Sequence, residues 1–464
     1  MSRTKELAKN TAIISIGRVG TQLVSFFLLP LYTAKLATSE YGNVDFVTTL
    51  ASFIVPVITM LMEESMFRFL IDAETEIEKK KIISQAFIFS FLNLFVGMVV
   101  AIPLLLKSGY ELGYPILLYT ISCVFIALAN ALSRGVGRIS LYAFSNFICS
   151  VSIISLNIIL ILILDMGFWG MIIANVLSNI IVSLLVFTIL KVWSYINVRY
   201  FDLNMMKYML KYSLPLVPNT ISWSIINVSD RLVIVSVLGA SANGLYSVAN
   251  KFPNIINTFY NFFNIAWRES SARILKSNDV GEFKKIYGFI KKELFLVTIM
   301  LISGIQFVYP FFINKNYQSS VAYVPILTIS VYYLSLSAFY GGIYTAYKKT
   351  TILGTTSFVA AIVNVLIDIV LIKFVGIYAA AISTVVSAFY LYYYRKRKMS
   401  HYLDVKDNRD WKILVTFIIL LILFYKASLI IHIVEFIFVV CSAIYVNKEE
   451  INKIYRSVIL NSKK

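Results

Sequence analysis

The chain reads as an all-α integral membrane protein of about fourteen transmembrane helices. It is organised as two six-helix lobes in parallel repeat around a central cavity, with two further helices at the C-terminus. Three observations predict this. Of its 464 residues 59% are hydrophobic and 14% charged, whereas soluble domains carry about 25% charged residues; the mean hydropathy is +0.79. Apolar runs recur at the roughly 20-residue length that a bilayer requires. Finally, LATSEYGNVDF at Leu36–Phe46 returns 202 positions later as LGASANGLYSV at Leu238–Val248, with Leu36/Leu238, Ser39/Ser241 and Gly42/Gly244 identical and no gap. A helix–loop–helix joint repeated at this distance marks two copies of one membrane unit, the construction many transporters use for a site that opens to alternate sides.

In order, the predicted spans are 8–33, 44–67, 82–106, 113–133, 139–164, 168–190, 212–238, 245–267, 293–313, 322–346, 351–373, 376–394, 411–425 and 427–446. The first holds Arg18 near its middle and is too long for a cleaved signal peptide. Spans 1–6 form an N-terminal lobe, 1–190, and a cytoplasmic linker follows at 191–211. Spans 7–12 form a second lobe, 212–398, and the last pair and a cytoplasmic tail occupy 399–464. The thirteenth span is short, and a re-entrant hairpin is an alternative for this pair. Six crossings return the chain to its starting side, so the lobes point the same way about an axis along the membrane normal. The repeat extends to their ends: GFWGMIIANVLS (Gly167–Ser178) resembles GIYAAAISTVVS (Gly376–Ser387).

The net charge of +18 raises a nucleic-acid partner, but its distribution excludes one. With the N-terminus counted as cytoplasmic, 34 of the 42 Lys and Arg fall in inner segments. Five lie in outer loops or at outer span ends (Lys35, Lys107, Lys315, Lys373 and Lys426) and three deeper within spans (Arg18, Arg231 and Lys251). This is the positive-inside asymmetry, and basic inner loops also favour anionic lipid headgroups. Both termini are therefore expected in the cytoplasm. The inner segment Arg268–Lys292 reads as a cytoplasmic amphipathic helix. Cys123, Cys149 and Cys441 are far apart in apolar runs and the two histidines are isolated, so no metal or redox motif is present. The outer loops are too short for a catalytic domain, which argues against a membrane polymerase or ligase.

Polar residues run along three spans at helical spacing. Span 1 carries Thr11, Ser15, Arg18, Gln22 and Ser25; span 7 carries Thr220, Ser224, Asn227 and Arg231; span 8 carries Asn250, Asn254, Asn257, Asn261 and Asn264, then Arg268. Shifting by 202 superposes the stripes, so equivalent faces point toward the pseudo-symmetry axis and line a hydrated cavity. Interhelical hydrogen bonding is the plainer explanation for scattered Ser and Thr. The asparagine row favours a cavity, because amides suit sugar hydroxyls. Arg18 and Arg231 cost at least about 2.5–3.5 kcal/mol each at mid-membrane. They are candidate anion ligands, since the guanidinium fork matches phosphate. An ion pair such as Arg18 with Asp230 is the structural alternative. Lys251 is a third candidate cation. Asp230 and Asp368 could carry a coupling H+ or Na+ or serve structure, as could Arg68 and Arg268; Glu63 and Glu64 read as an interfacial pair with Arg68.

ISWSIINVSDRLVIVSVLGASANGLYSVANKFPNI (Ile221–Ile255), with its mid-span Asp230-Arg231, and MEESMFRFL (Met62–Leu70) resemble bacterial lipid-linked oligosaccharide flippases. These are the O-antigen and capsule repeat-unit flippases of the polysaccharide-biosynthesis family, within the multidrug/oligosaccharidyl-lipid/polysaccharide exporter superfamily. The resemblance covers roughly 1–400. It implies two six-helix lobes and a substrate of undecaprenyl-pyrophosphate-linked oligosaccharide, moved from the inner to the outer leaflet of the bacterial cytoplasmic membrane. No cofactor is implied beyond a coupling ion or the membrane potential. Membrane lipids and a polysaccharide polymerase are the other expected partners. An arginine in the first span is also a feature of related precursor flippases, and spans 13–14 resemble helices that form a lipid-tail groove in some relatives. A peptidoglycan-precursor flippase is a close alternative. A drug or cation antiporter of the same superfamily would want an acidic cavity where this one is basic.

Single cysteines at Tyr110, Ala242 and Asn316 should react with a membrane-impermeant thiol reagent added to intact cells. A cysteine at Val280 should not. Labelling of the Val280→Cys protein from outside would overturn the topology.

Overall fold

The computed structural model of the chain describes residues 26–108, 110–277, 280–347, 349–400 and 410–448. Among them the regular structure is helical throughout: α1 (Leu29–Lys35), α2 (Thr38–Thr59), α3 (Met62–Asp72), α4 (Glu76–Ser108), α5 (Gly113–Gly135), α6 (Ile139–Asn157), α7 (Gly167–Ile189), α8 (Leu203–Ser213), α9 (Val217–Leu238), α10 (Ala240–Ser277), α11 (Val280–Phe312), α12 (Val324–Ala346), α13 (Thr350–Val375), α14 (Tyr378–Met399), α15 (Asp410–Lys426) and α16 (Leu429–Val446). Eight of the described helices are long and apolar enough to cross a membrane. The first predicted span lies mostly outside the described residues. Helices α9, α10 and α14 occupy the seventh, eighth and twelfth predicted spans with polar rows or a basic end, and α15 and α16 have 17 and 18 residues. Among the described residues, packing groups those up to Val248 with Ser357–Ala380, and Ala249–Thr356 with those from Ala381 onward.

In the first unit the second predicted span is not one helix. It breaks between α2 and α3, where Met60 (φ 49°) and Leu61 (φ 54°) are left-handed, a conformation that bulky residues seldom adopt. Pro56 removes one helical donor just before the break. The exposed backbone groups find side chains instead: Asn93 Nδ2 donates to the Ile58 carbonyl at 3.0 Å and the Leu61 N–H to Thr59 Oγ1 at 3.2 Å. Helix α3 then packs Met62, Met66 and Leu70 into a core with α4, α5 and α8.

Two sequence readings are corrected here. Arg68 pairs with Asp72 at 2.6 Å, one turn along its own helix, while Glu64 pairs with Arg134 on α5 at 3.3 Å; the expected Glu63/Glu64–Arg68 pair is not made. The segment after Arg268 is not a separate amphipathic helix: α10 runs on to Ser277 and α11 begins at Val280. An amphipathic helix, α8, lies instead in the preceding linker, capped by Asp202, whose carboxylate accepts from the Asn204 N–H at 2.8 Å. The linker is fastened to the first unit by Ser65 Oγ to the Met209 carbonyl and Ser84 Oγ to that of Tyr195, both 2.8 Å.

The duplication survives in the backbone. Gly167 and Gly376, aligned in the sequence repeat, both have positive φ, 51° and 60°, and each precedes or opens the last helix of its copy. The repeated joints themselves meet. A Cβ on Gly42 would lie 1.9 Å from the Ala240 carbonyl oxygen, and one on Gly244 would lie 2.0 Å from that of Thr38. The 202-residue shift carries each contact onto the other, so the N-terminal ends of α2 and α10 cross reciprocally at two glycines.

In the second unit α11 packs against α12, α15 and α16. Gly304 admits the Phe436 ring of α16. At the other end Asp410 accepts from Lys291 and, at 2.8 Å, from Tyr392 Oη on one carboxylate oxygen, and from Lys396 at 2.6 Å on the other. Burial alone would push the Asp410 carboxyl up, but the two ammonium groups outweigh it and hold it below its ordinary value. This tie stabilises the C-terminal hairpin above the carboxylate range and is lost as pH falls through the depressed value.

Candidate functional site

The helix crossing at Gly42 and Gly244 places one carboxylate among donors from distant sequence. Asp45 Oδ2 accepts from Arg231 Nε at 3.2 Å and from Asn243 Nδ2 at 3.4 Å, and Oδ1 accepts from Ser247 Oγ at 2.7 Å. Asn243 Nδ2 also donates to the Gly42 carbonyl at 2.7 Å, tying the cluster to the crossing itself. Asp45 and Ser247 are the same position in the two copies, so the repeat bonds to itself through a non-identical pair.

Arg231 continues the network. Its guanidinium carbon sits 5.2 Å from the Tyr246 ring centre, and Nη1 donates to the Asn227 carbonyl at 3.2 Å. Tyr246 Oη in turn donates to Asp230 Oδ2 at 2.6 Å. Asp230 and Arg231, adjacent on α9, thus straddle one tyrosine. The Arg231 and Asp45 side chains are only 12% and 14% exposed. At that depth breaking the pair by removing one partner costs about 3–5 kcal/mol. Arg231 is already paired with Asp45, so it meets an anion only by exchanging Asp45 for it.

Asp368 is fully buried on α13, one turn from Asn364, which accepts from Ser229 Oγ at 3.1 Å. Arg18 and Gln22 lie outside the described residues. In the second unit α10 carries the asparagine row: Asn250 and Lys251 are half-buried, Asn254, Asn257 and Asn261 are exposed, and Asn264 is buried. Phe252, Ile256 and Tyr260 on the same helix are buried. The middle of the row is therefore exposed on α10, as are Phe259 and Ile265. An amide facing pure hydrocarbon would cost on the order of 4–8 kcal/mol, so three in succession describe a face that meets water. Arg268 is exposed beyond the row, and Arg68 is engaged with Asp72.

The sequence reading did not single out Asp45, Asn243, Tyr246 or Ser247 as site residues. A signal existed: the 202-residue shift sets Asp45 opposite Ser247 at the polar end of the repeated joint.

A buried charge network and an exposed amide row on long apolar helices belong to a multi-pass membrane protein. The chain belongs to the polysaccharide biosynthesis protein family, whose model matches residues 7–267, more than half its length. Its fold is shared with a lipid II flippase, MurJ, in an inward closed conformation (TM-score 0.72, 16% identity, 96% of this chain and 100% of that one). It is shared too with an inward-facing multidrug resistance MATE family transporter of the MOP superfamily (0.68, 15%, 83% and 98%). A MOP superfamily transporter from Pyrococcus furiosus also matches (0.52, 16%, 85% and 95%). No curated protein matches the sequence. These three structural neighbours are a flippase and two transporters.

Asp45→Asn and Arg231→Ala should each lower the melting temperature in detergent, since each leaves a buried charge. The Asp45→Asn/Arg231→Ala double variant should recover much of the loss. A double variant no more stable than the sum of the singles would mean the pair is not coupled.

Proposed function

We propose that this chain flips undecaprenyl-pyrophosphate-linked oligosaccharide repeat units, of the O-antigen or capsule type, from the inner to the outer leaflet of the bacterial cytoplasmic membrane. The observation that carries the proposal is the exposed Asn254–Asn257–Asn261 face on a membrane helix of a polysaccharide biosynthesis family member. Arg18, Gln22, Arg231 and Lys251 take the pyrophosphate; Asn227 and the α10 row, Asn250 to Asn261, take the sugars. Pyrophosphate and sugars cannot cross hydrocarbon unaided, and a polar path lets the prenyl chain remain in lipid. Two six-helix lobes alternate access, with both termini cytoplasmic. Asp230 and Asp368 are the carboxylates that would bind H+ or Na+, and an ion gradient or the membrane potential drives the cycle. A polysaccharide polymerase would receive the product. The likeness to a lipid II flippase over 96% of the chain favours a peptidoglycan precursor as the second reading.

Arg18→Ala and Arg231→Ala should each cut export of the lipid-linked unit at least tenfold with protein levels retained, given about 1.5–3 kcal/mol per charge-assisted bond. Lys at either position should restore only part, having charge without the fork. Asn254→Leu/Asn257→Leu should express normally and export poorly. Full export by that double variant would remove the α10 face from the substrate path.

A further inference from the structure

At the outer ends of the first unit's helices, on the side assigned by the charge asymmetry, lies a hollow of about 570 Å³. Asn43, Tyr110, Glu111, Tyr114, Phe168 and Trp169 line it. Its walls are fixed from below. Glu40 accepts from the Ala37 N–H at 2.9 Å and from the Phe168 N–H at 3.2 Å, clipping the starts of α2 and α7 together. Lys35 and Asp165 pair at 3.3 Å beside that clip. A second hollow of about 380 Å³ adjoins it and shares Leu105 and Tyr110. Its remaining walls, among them Ile54, Ile58, Met98 and Ile116, are apolar, and it runs along α2, α4 and α5 into the span region. Gly97 opens it: a Cβ there would meet only Ile58 Cδ1, at 3.8 Å.

Tyrosine and tryptophan at a membrane interface are ordinary singly. A carboxylate and an amide in the same hollow are not explained by such a belt. Flat aromatic faces with Asn and Glu beside them suit the ring faces and hydroxyls of a saccharide. Among the described residues no lysine or arginine lines either hollow, and Glu111 repels phosphate. The pair of hollows therefore has a sugar-selective head region joined to a dry tail region.

We propose that this paired hollow binds a glycolipid from the outer leaflet, saccharide in the aromatic hollow and hydrocarbon chain in the apolar one. It is distinct from the Arg231 cluster and the α10 row. It rests on the flippase reading only in suggesting that the natural occupant is a lipid-linked oligosaccharide after flipping. Recognition is by sugar and chain, with the phosphates left in water.

The test uses diglucosyl diacylglycerol as probe and phosphatidylglycerol as the phosphate-bearing comparison, each added to the purified full chain and counted by native mass spectrometry. Wild-type protein should retain one diglucosyl lipid in preference to phosphatidylglycerol. Glu111→Gln and Trp169→Ala should each weaken retention about tenfold, as expected for loss of a charged hydrogen bond or an aromatic face. Gly97→Leu, which fills the tail hollow, should weaken it without touching the head region. Equal retention of both lipids by wild-type protein, or undiminished glycolipid binding in Glu111→Gln and Gly97→Leu, would overturn the proposal and leave ordinary annular lipid. The readout involves no transport step, so failure of the flippase reading cannot imitate either result.

Discussion

Asp45 is the carboxylate on which the first unit's polar cluster depends. Burying it in a membrane protein is tolerable only because Arg231, Asn243 and Ser247 all reach it. They reach it only because Gly42 and Gly244 let two helix ends touch backbone to backbone. Small residues that permit close approach are the usual way membrane helices gain packing energy where no hydrophobic drive exists between them. The glycines and the carboxylate therefore support one another: a side chain at either glycine would draw the donors away, and loss of the charge would leave Arg231 buried without its counter-ion.

Duplication explains both the order and the asymmetry of this region. Backbone demands are kept in both copies, as at Gly42 and Gly244 or at the positive-φ pair Gly167 and Gly376. Side chains have diverged, so that one copy supplies the acid at Asp45 and the other a hydroxyl at Ser247, a base at Arg231 and a second acid at Asp230. A perfectly symmetric joint would set two like charges together; the divergence turns the same geometry into an ion pair with a polar outlet toward Asn227.

Much of the helical order was legible because apolar length and the 202-residue repeat are strong signals. The asparagine row was legible because helical spacing alone puts Asn254, Asn257 and Asn261 on one face, and all three are exposed. The partner of Arg231 was not, since Asp45 lies 186 positions away and only the crossing unites them. The break after Thr59 was also hidden: Met60 and Leu61 are ordinary helix formers, and their left-handed backbone is sustained by Asn93 from another helix. Arg68 was misassigned because sequence proximity offered Glu64, while tertiary packing gave Glu64 to Arg134 and left Arg68 to Asp72.

On the proposed flippase reading, the joint at Gly42 and Gly244 is a closure that parts during transport. The direct measurement is export of the lipid-linked unit by protein carrying cysteines at Thr38 and Ala240, which flank the crossing, before and after bridging with a short cleavable thiol cross-linker. Export should stop when the bridge forms and return when it is cleaved. Undiminished export with the joint fully bridged would contradict alternating access through it.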